Sequence, residues 1–250
     1  MFLACAGVSL CYGEEDYIYF IYTTLINMAV GSGLILLGRG AENRVTRRDG
    51  YCIVAFTWLL FTGFGMLPFY ISGSIPSVTD AFFETMSGFT TTGATILDDI
   101  EALSHGMLFW RSFSQWIGGL GIVFFTIAVL PIFGVGNQVL FSAEATGVTH
   151  DKIHPKISVM AQCLWTVYLV LTVAEIVLLL IGGMDLFDAA CHAFSTTATG
   201  GYSTKQASVA YWNSPFIEYV IAIFMILSGI NFSLYFMCMK GRCGQLFKDG

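Results

Sequence analysis

Two stretches of the chain each join a short apolar helix to a run of hydroxyl-bearing side chains and glycine. The first covers residues 80–95 and the second residues 185–203, and each contains a Thr-Gly pair near its end. Irregular backbone around glycine has unpaired N–H and C=O groups, so at membrane depth it is tolerated only inside protein or beside a water-filled cavity. Carbonyl oxygens crowded in this way replace the hydration shell of a cation. We therefore predict that both stretches are re-entrant pore loops.

The candidate ion ligands are the backbone carbonyl groups of eight residues in these loops. They are Thr91, Thr92, Gly93 and Ala94 in the first loop, and Ala198, Thr199, Gly200 and Gly201 in the second. Neutral oxygen ligands suit a large monovalent cation, and neither run contains a carboxylate of the kind that a divalent cation prefers. Each half-helix also directs its C-terminal end, which carries roughly half a negative charge, toward its loop. The sequence therefore predicts a conducted cation and no cofactor.

The composition places these loops in a membrane. Of the 250 residues, 56% are hydrophobic and 11% are charged, whereas a globular domain is about one quarter charged. A spanning helix needs about 20 apolar residues, and five runs reach that length: residues 17–38, 51–71, 108–131, 157–181 and 216–239. Residues 1–10 are interpreted as part of a sixth spanning helix, and residues 78–89 and 186–196 as the two half-helices. This pattern predicts an all-α integral membrane protein, not an enzyme.

The positive charges orient the predicted helices. Nine of the eleven Lys and Arg residues fall in three segments, at residues 39–48, 152–156 and 240–248. If each full helix crosses once and each pore loop returns to its own side, these segments share one side, which the positive-inside rule assigns to the cytoplasm. The opposite side carries acidic residues at 14–16 and 98–101. They would raise the local cation concentration; the alternative is that they are ordinary solvated loop acids.

Charged residues in the apolar segments suggest further roles. Each half-helix has an acid at its start and a second acid further on, which would cap free N–H groups and complement the helix dipole: Asp80 with Glu84 one turn on, and Asp185 with Asp188. Arg111 follows the first loop, and two roles are open to it: a structural ion pair with Glu84 behind the loop, or a functional intramembrane charge. Glu175 lies inside a spanning run, and the sequence indicates no partner for it.

Several motifs in the chain resemble one protein family. They are FETMSGFTTTGAT at residues 83–95, WRSFSQWIGGLGI at 110–122, LPIFGVGNQVL at 130–140 and TTATGGYST at 196–204. They resemble the Trk/Ktr/HKT superfamily of cation-translocating proteins, and within it the TrkH-like branch, over essentially the whole chain. The resemblance implies helix–pore-loop–helix units, similar to potassium channel subunits, that are preceded by one or two extra transmembrane helices. In the family, four such units surround one pore.

The resemblance also implies a function. It implies potassium uptake across the cytoplasmic membrane of the cell, the inner membrane, by a multi-pass protein with one filter glycine in each unit. Gly93 and Gly200 are assigned to that position here. A serine at the first filter position is associated with sodium transport in plant relatives, so Gly93 favours potassium. The expected regulatory partner is a peripheral cytoplasmic ring of nucleotide-binding subunits.

The motifs divide the chain into five segments. We predict an N-terminal transmembrane region and loop at 1–50, a first unit at 51–131, a cytoplasmic connector at 132–156, a second unit at 157–240 and a tail at 241–250. The third and fourth units of the family are therefore expected as partners, together with the lipid bilayer. Association of two copies is an alternative way to close the pore. The alternative function is that of a non-conducting fragment or membrane scaffold, and no nucleic acid is expected to bind.

Overall fold

The computed structural model describes residues 1–40, 47–121, 157–230 and 235. Nine α-helices lie in this part of the chain. They are α1 (Phe2–Cys11), α2 (Tyr17–Leu37), α3 (Arg47–Gly65), α4 (Leu67–Ile71), α5 (Val78–Phe89), α6 (His105–Gly119), α7 (Ile157–Ile181), α8 (Leu186–Thr197) and α9 (Pro215–Gly229). The predicted connector at 132–156 and the predicted tail at 241–250 lie outside the described residues. The five-segment division of the chain stays a prediction.

The predicted spanning helices differ in how the structure forms them. Among the described residues, two helices are long and apolar enough to cross a membrane, Tyr17–Leu37 and the part of α7 at Leu164–Ile181. The predicted run at 51–71 instead contains two helices, α3 and α4, that are separated at Met66. Pro68 lacks the N–H that would continue the hydrogen-bond ladder, which accounts for the break. The C-terminal parts of the runs at 108–131 and 216–239 lie outside the described residues.

Both predicted half-helices are confirmed. Helix α5 has the predicted bounds, and α8 extends one residue beyond its predicted end. The two helices have 12 residues each, and every residue of α8 lies 108 positions after its counterpart in α5, as Val78 and Leu186 or Phe89 and Thr197 show. We refer to α3–α6 as the first pore unit and to α7–α9 as the second pore unit.

Helix α6 holds the two pore units together. Its Gly118 approaches the backbone carbonyl of Phe89 at the end of α5 so closely that an added Cβ would occupy the position of that oxygen. One residue on, a Cβ at Gly119 would lie 2.8 Å from the Cα of Ala198 and 2.6 Å from the hydroxyl of Tyr168, both in the second unit. Glycine is thus required where α6 passes between the ends of the two half-helices, as in other closely packed membrane helices.

A separate apolar cluster stabilises each pore unit. In the first unit Trp110 is fully buried against Phe89 at a ring-centroid distance of 5.8 Å, and its indole N–H donates to the carbonyl oxygen of Gly65 at 2.9 Å. Helices α1 and α2 add Cys5 and Phe20 to this cluster. The second cluster joins α7, α8 and α9, and its buried members are Leu179, Met184, Ala189, Ile217, Val220, Ile221 and Phe224.

Candidate functional site

Two residues after the last residue of each half-helix lies a threonine with a left-handed backbone conformation. Thr91 has φ 53° and Thr199 has φ 55°. The Thr91 N–H donates to Gly88 O at 3.0 Å, and the Thr199 N–H donates to Thr196 O at 2.9 Å. A left-handed residue is the usual way to end a helix, but glycine normally occupies it because a Cβ is strained there. Two threonines in this conformation at matching positions show that the loops share one backbone geometry.

The structural counterpart of Gly93 in the second loop is Gly201 and not Gly200. Gly93 has φ 75° and Gly201 has φ 85°, and both lie two residues after the left-handed threonine. Gly201 is therefore 108 positions after Gly93, which is the spacing of the half-helices. Gly200 is the counterpart of Thr92 and has no positive φ. By the same spacing Ala198 is the counterpart of Thr90, so the second candidate run is displaced by one residue from the first.

The two loops meet at their glycines. A Cβ added to Gly93 would collide with the backbone carbonyl oxygen of Gly200. A Cβ on Gly200 would in turn collide with the side-chain amide of Gln115 on α6. No atom lies within 4 Å of the Cβ position of Gly201 among the described residues. Gly93 is therefore required by both space and conformation, whereas Gly201 is required by its conformation alone.

The eight predicted ligand residues do not all face the same environment. Thr92, Ala94, Thr199 and Gly201 are exposed, and Thr91 and Gly93 are partly buried. Ala198 and Gly200 are buried, and the Ala198 N–H still continues α8 by donating to Phe194 O at 3.2 Å. The structure thus brings the two loops together but leaves Ala198 as the end of a helix.

A buried ion pair lies directly behind the first loop. The Arg111 Nε–H donates to Glu84 Oε1 at 2.8 Å, and the two side chains are 1% and 0% exposed. Glu84 also accepts from the hydroxyl of Thr95 and from the N–H of Ile96, each at 3.0 Å. The prediction that Glu84 caps α5 is wrong, since its carboxylate instead binds the chain that leaves the loop. The predicted pair with Arg111 is confirmed.

The other acids of the half-helices lie at the N-terminal ends of these helices. Asp185 caps α8 by accepting from the N–H groups of Phe187 and Asp188. The corresponding cap of α5 is Ser77, which accepts from the N–H of Asp80. Asp188 lies in the first turn of α8, where its Oδ1 accepts from the Thr204 hydroxyl at 2.6 Å. The predicted cap by Asp185 is confirmed, whereas Ser77 and not Asp80 caps α5, and Asp188 holds the chain that follows the second loop.

The second unit replaces the Glu84 carboxylate by an imidazole. His192 is the counterpart of Glu84, and its Nε2 lies 3.3 Å from the hydroxyl of Ser203, the counterpart of Thr95. In each unit, therefore, the equivalent residue of the half-helix contacts the equivalent residue after the loop: Glu84 contacts Thr95, and His192 contacts Ser203. The second unit does this without a charge pair, so the arginine is specific to the first unit.

Arg111 and Gln115 connect the two loops. They lie one turn apart on α6 and so share a helix face. The Arg111 guanidinium lies over the Tyr202 ring at 4.0 Å, and its Nη1 donates to Ser203 O at 3.2 Å. Gln115 Oε1 accepts from the Ser195 hydroxyl at 2.8 Å and from the Tyr202 N–H at 3.3 Å. One face of α6 therefore fixes the second loop while Arg111 also holds the first.

Sequence reasoning missed three of the residues that support the filters. The Ser87 hydroxyl donates to Ala94 O at 2.6 Å, and the Tyr202 hydroxyl donates to Glu84 O at 2.9 Å while lying 3.2 Å from Ala94 O. Gln115, the third, was detectable as an amide one turn after Arg111 in an apolar helix. For Ser87 and Tyr202 there was no comparable signal, since their partners are backbone carbonyl oxygens.

The N-terminal ends of α6 and α8 meet the loop between α1 and α2. Glu14 accepts from the N–H of His105 at 3.0 Å and of Gly106 at 3.3 Å, and its Oε1 lies 2.7 Å from His105 Nδ1. Tyr12 stacks on the His105 ring at 4.0 Å and meets Phe187 of α8 edge-on at 5.5 Å. Glu14 therefore caps α6 at the acidic end of the molecule.

Acid is expected to remove the contribution of Glu14 to stability. Partial burial would raise the pKa of Glu14, but hydrogen bonds from His105 and Gly106 outweigh it and hold that pKa below its usual range. The stabilisation is therefore complete above the ordinary glutamate pKa of about 4.3 and is lost as the pH falls through the lower folded-state pKa. Thermal unfolding in detergent should show Glu14→Gln less stable than wild type at neutral pH and equal to it in acid. Glu15→Gln, at an exposed position, is the control; a constant gap for Glu14→Gln would contradict the prediction.

Comparisons with known proteins agree with this architecture. The profile of the TrkH family, described as cation transport protein, matches residues 19–247. The Trk system potassium uptake protein TrkH of Escherichia coli K12 is 43% identical over 242 residues, which are 96% of this chain and 50% of that protein. TrkH of Halomonas elongata is 38% identical over 94% of this chain and 49% of its own. This chain therefore spans about half the length of these relatives.

A solved structure from the same family also matches this chain. The crystal structure of the potassium transporter TrkH from Vibrio parahaemolyticus matches with a TM-score of 0.79 and 37% identity, over 96% of this chain and 48% of that one. Paired half-helices with facing loops define a membrane protein of the pore-loop class. The chain belongs to the TrkH family of cation transport proteins.

Proposed function

We propose that this chain forms part of the pore of a potassium uptake system in the cytoplasmic membrane. The observation that carries the proposal is the matched geometry of the two loops, with a left-handed threonine and a positive-φ glycine after each half-helix. The named functions of the relatives, which are Trk system potassium uptake proteins, support the same ion. We assign the selectivity filter to residues 91–94 of the first loop and 199–202 of the second.

The chemistry of these loops suits a dehydrated monovalent cation. Backbone carbonyls with neutral side chains replace the water shell without a fixed anionic charge, so the ion is bound weakly enough to leave again. The C-terminal ends of α5 and α8 add partial negative charge near the ion. The carboxylate nearest to the first filter, Glu84, is neutralised by Arg111 and does not supply a ligand.

Further pore units are proposed to complete the ring. Helices α6 and α9 have 15 residues each and correspond at a spacing of 110, from Ser104 and Ser214 at their N-caps onward. The α6 face at Gln115, Trp116 and Gly119 contacts the second unit. The corresponding face of α9 is at Met225, Ile226 and Gly229, where Met225 is 56% and Ile226 is 69% exposed. This face has the position and apolar character to receive a third unit, whether from the same polypeptide or from another, with a second copy of this chain as the alternative.

The proposed orientation places the acidic end outside the cell. Residues 14, 101, 105 and 206 lie together at this end, because Glu14 binds His105 and the Gln206 N–H donates to Glu101 Oε1 at 3.1 Å. Arg39 follows α2 at the opposite end. By the positive-inside rule, the Arg39 end faces the cytoplasm. A cytoplasmic nucleotide-binding subunit is the proposed regulatory partner on that side.

Ion uptake into cells tests the proposed function. The full-length gene product, together with the subunits it operates with, is expressed in cells that lack their own potassium uptake systems. Growth on limiting potassium and uptake of potassium and rubidium are expected, with sodium uptake at least about tenfold slower, a difference of roughly 1.4 kcal/mol in barrier height. Membrane protein at normal abundance without cation uptake would favour the scaffold alternative, and equal uptake of sodium would contradict the potassium assignment.

A further inference from the structure

Glu175 is a carboxylate buried behind the second filter. It lies on α7 and is 0% exposed. Its Oε2 lies 3.4 Å from the hydroxyl of Thr197, the last residue of α8. Its Oε1 has no hydrogen-bond partner among the described residues. The side chain therefore contacts the segment directly before the filter through one oxygen and leaves the other unsatisfied.

A chain of hydroxyl groups continues from Thr197 to α6. The Thr197 hydroxyl lies 3.4 Å from Thr172 Oγ1, and Thr172 donates its own proton to Tyr168 O at 2.8 Å. The indole N–H of Trp116 on α6 donates to Thr172 Oγ1 at 3.0 Å. Three helices thus meet in this network, and Thr197 is the member that belongs to the half-helix.

The described charged groups on the neighbouring helices are engaged elsewhere. On α6, Arg111 binds Glu84 and His105 binds Glu14. On α8, Asp188 binds Thr204 and His192 contacts Ser203, and Cys191 is buried. Glu218 lies in the exposed first turn of α9. None of these groups forms an ion pair or hydrogen bond with Glu175 in the described part of the chain.

We propose that Glu175 carries a proton at neutral pH and acts as a neutral positioning residue for the second filter. An unpaired anion buried in a membrane protein is costly, and groups in this situation take up a proton instead. A negative charge would also lie beside the C-terminal end of α8, where the helix dipole disfavours anions. Both effects favour the carboxylic acid.

The protonated side chain of Glu175 also allows one more hydrogen bond in this network than the ionised side chain does. The acid O–H at Oε2 donates to Thr197 Oγ1, the Thr197 hydroxyl donates to Thr172 Oγ1, and the Thr172 hydroxyl donates to Tyr168 O. Every hydroxyl then donates once, and Thr197 both donates and accepts. In the ionised form Thr197 donates to Glu175 instead, so its bond to Thr172 is lost. Ionisation therefore removes one of the two side-chain hydrogen bonds between the end of α8 and α7.

Infrared spectroscopy tests the protonation directly. The difference spectrum between the wild-type full assembly and Glu175→Gln is recorded at neutral pH. A carboxylic C=O stretching band that disappears in the variant supports the proposal, and loss of a carboxylate band overturns it. Glu218→Gln removes an exposed carboxylate and gives the reference spectrum for an ionised group. This measurement does not depend on ion transport, so it stays decisive if the proposed function fails.

The pH dependence of uptake tests the positioning role, which rests on the proposed function. Wild-type uptake is expected to decline as the pH is raised, because ionisation of Glu175 breaks the Thr197–Thr172 bond and places a negative charge beside the C-terminal end of α8. Glu175→Gln keeps a neutral side chain of the same size, so it should retain at least half of the wild-type uptake and lose the alkaline decline. Glu175→Leu should have less than half of the Gln variant's uptake at equal abundance. An unchanged alkaline decline in Glu175→Gln, or loss of uptake rescued only by Glu175→Asp, would overturn the proposal.

Discussion

Replacing Gly93 by alanine is expected to abolish potassium-dependent growth while the protein still reaches the membrane. Alanine at φ 75° is strained, by roughly 1–2 kcal/mol. Its Cβ would also collide with the Gly200 carbonyl oxygen, so one filter loop must move. Gly201→Ala has the strain without the collision, and uptake should fall at least about tenfold, the factor that 1.4 kcal/mol represents. Uptake of potassium and rubidium, normalised to membrane abundance, measures both effects.

Two positions outside the filter provide matched controls. Gly73 and Gly183 have φ 76° and 96°, and nothing lies within 4 Å of their Cβ positions among the described residues. Alanine at either has the same backbone strain without touching the filter, so uptake should stay near the wild-type level. Gly200→Ala has no backbone strain but displaces the buried Gln115 amide that binds Ser195 and Tyr202, so it should also reduce uptake. A defect at Gly73 or Gly183 as strong as that at Gly201 would contradict the assignment of Gly201.

Removing one member of the Glu84–Arg111 pair is expected to cause the largest loss of stability. Both side chains are almost fully buried, and deleting one partner of such a pair costs about 3–5 kcal/mol because the other charge stays unpaired. Arg111→Met and Glu84→Gln should each lower the thermal midpoint of the detergent-purified protein and reduce uptake. The double variant should be more stable than Arg111→Met, since it leaves no unpaired buried charge.

Lys205 provides the control for this prediction. Its ammonium lies 3.6 Å from Asp188 Oδ2, and its side chain is 25% exposed. Partly solvated pairs of this kind contribute roughly 0–1 kcal/mol, so Lys205→Met should have little effect on the thermal midpoint. If Arg111→Met and Lys205→Met shifted the midpoint equally, the buried pair would not have the structural role assigned to it.

Short-range features of the sequence predicted the helices well. The half-helices at 78–89 and 186–196 and the spanning helices at 17–38 and 157–181 agree with the structure to within one residue at each end. The spanning helices follow from apolar runs of fixed length, and the half-helices from shorter apolar runs with a Ser or Asp cap before them and a Thr/Gly step after them. The break at Met66 could also have been predicted, because Pro68 lies inside the run at 51–71.

Contacts between distant residues decided the rest. The sequence does not distinguish the adjacent glycines Gly200 and Gly201. Only the backbone conformation of Gly201 identifies it as the counterpart of Gly93. The pair of Glu84 with Arg111 was one of two alternatives from the sequence, but its carboxylate was assigned to a helix cap because its partners at 95 and 96 lie beyond the loop. Gln115 acquires its role only when α6 lies between the two loops. Apolar length and capping are properties of a single segment, so the sequence determined them; the pairing of filter positions and of buried charges depends on how segments pack, so only the tertiary structure decided them.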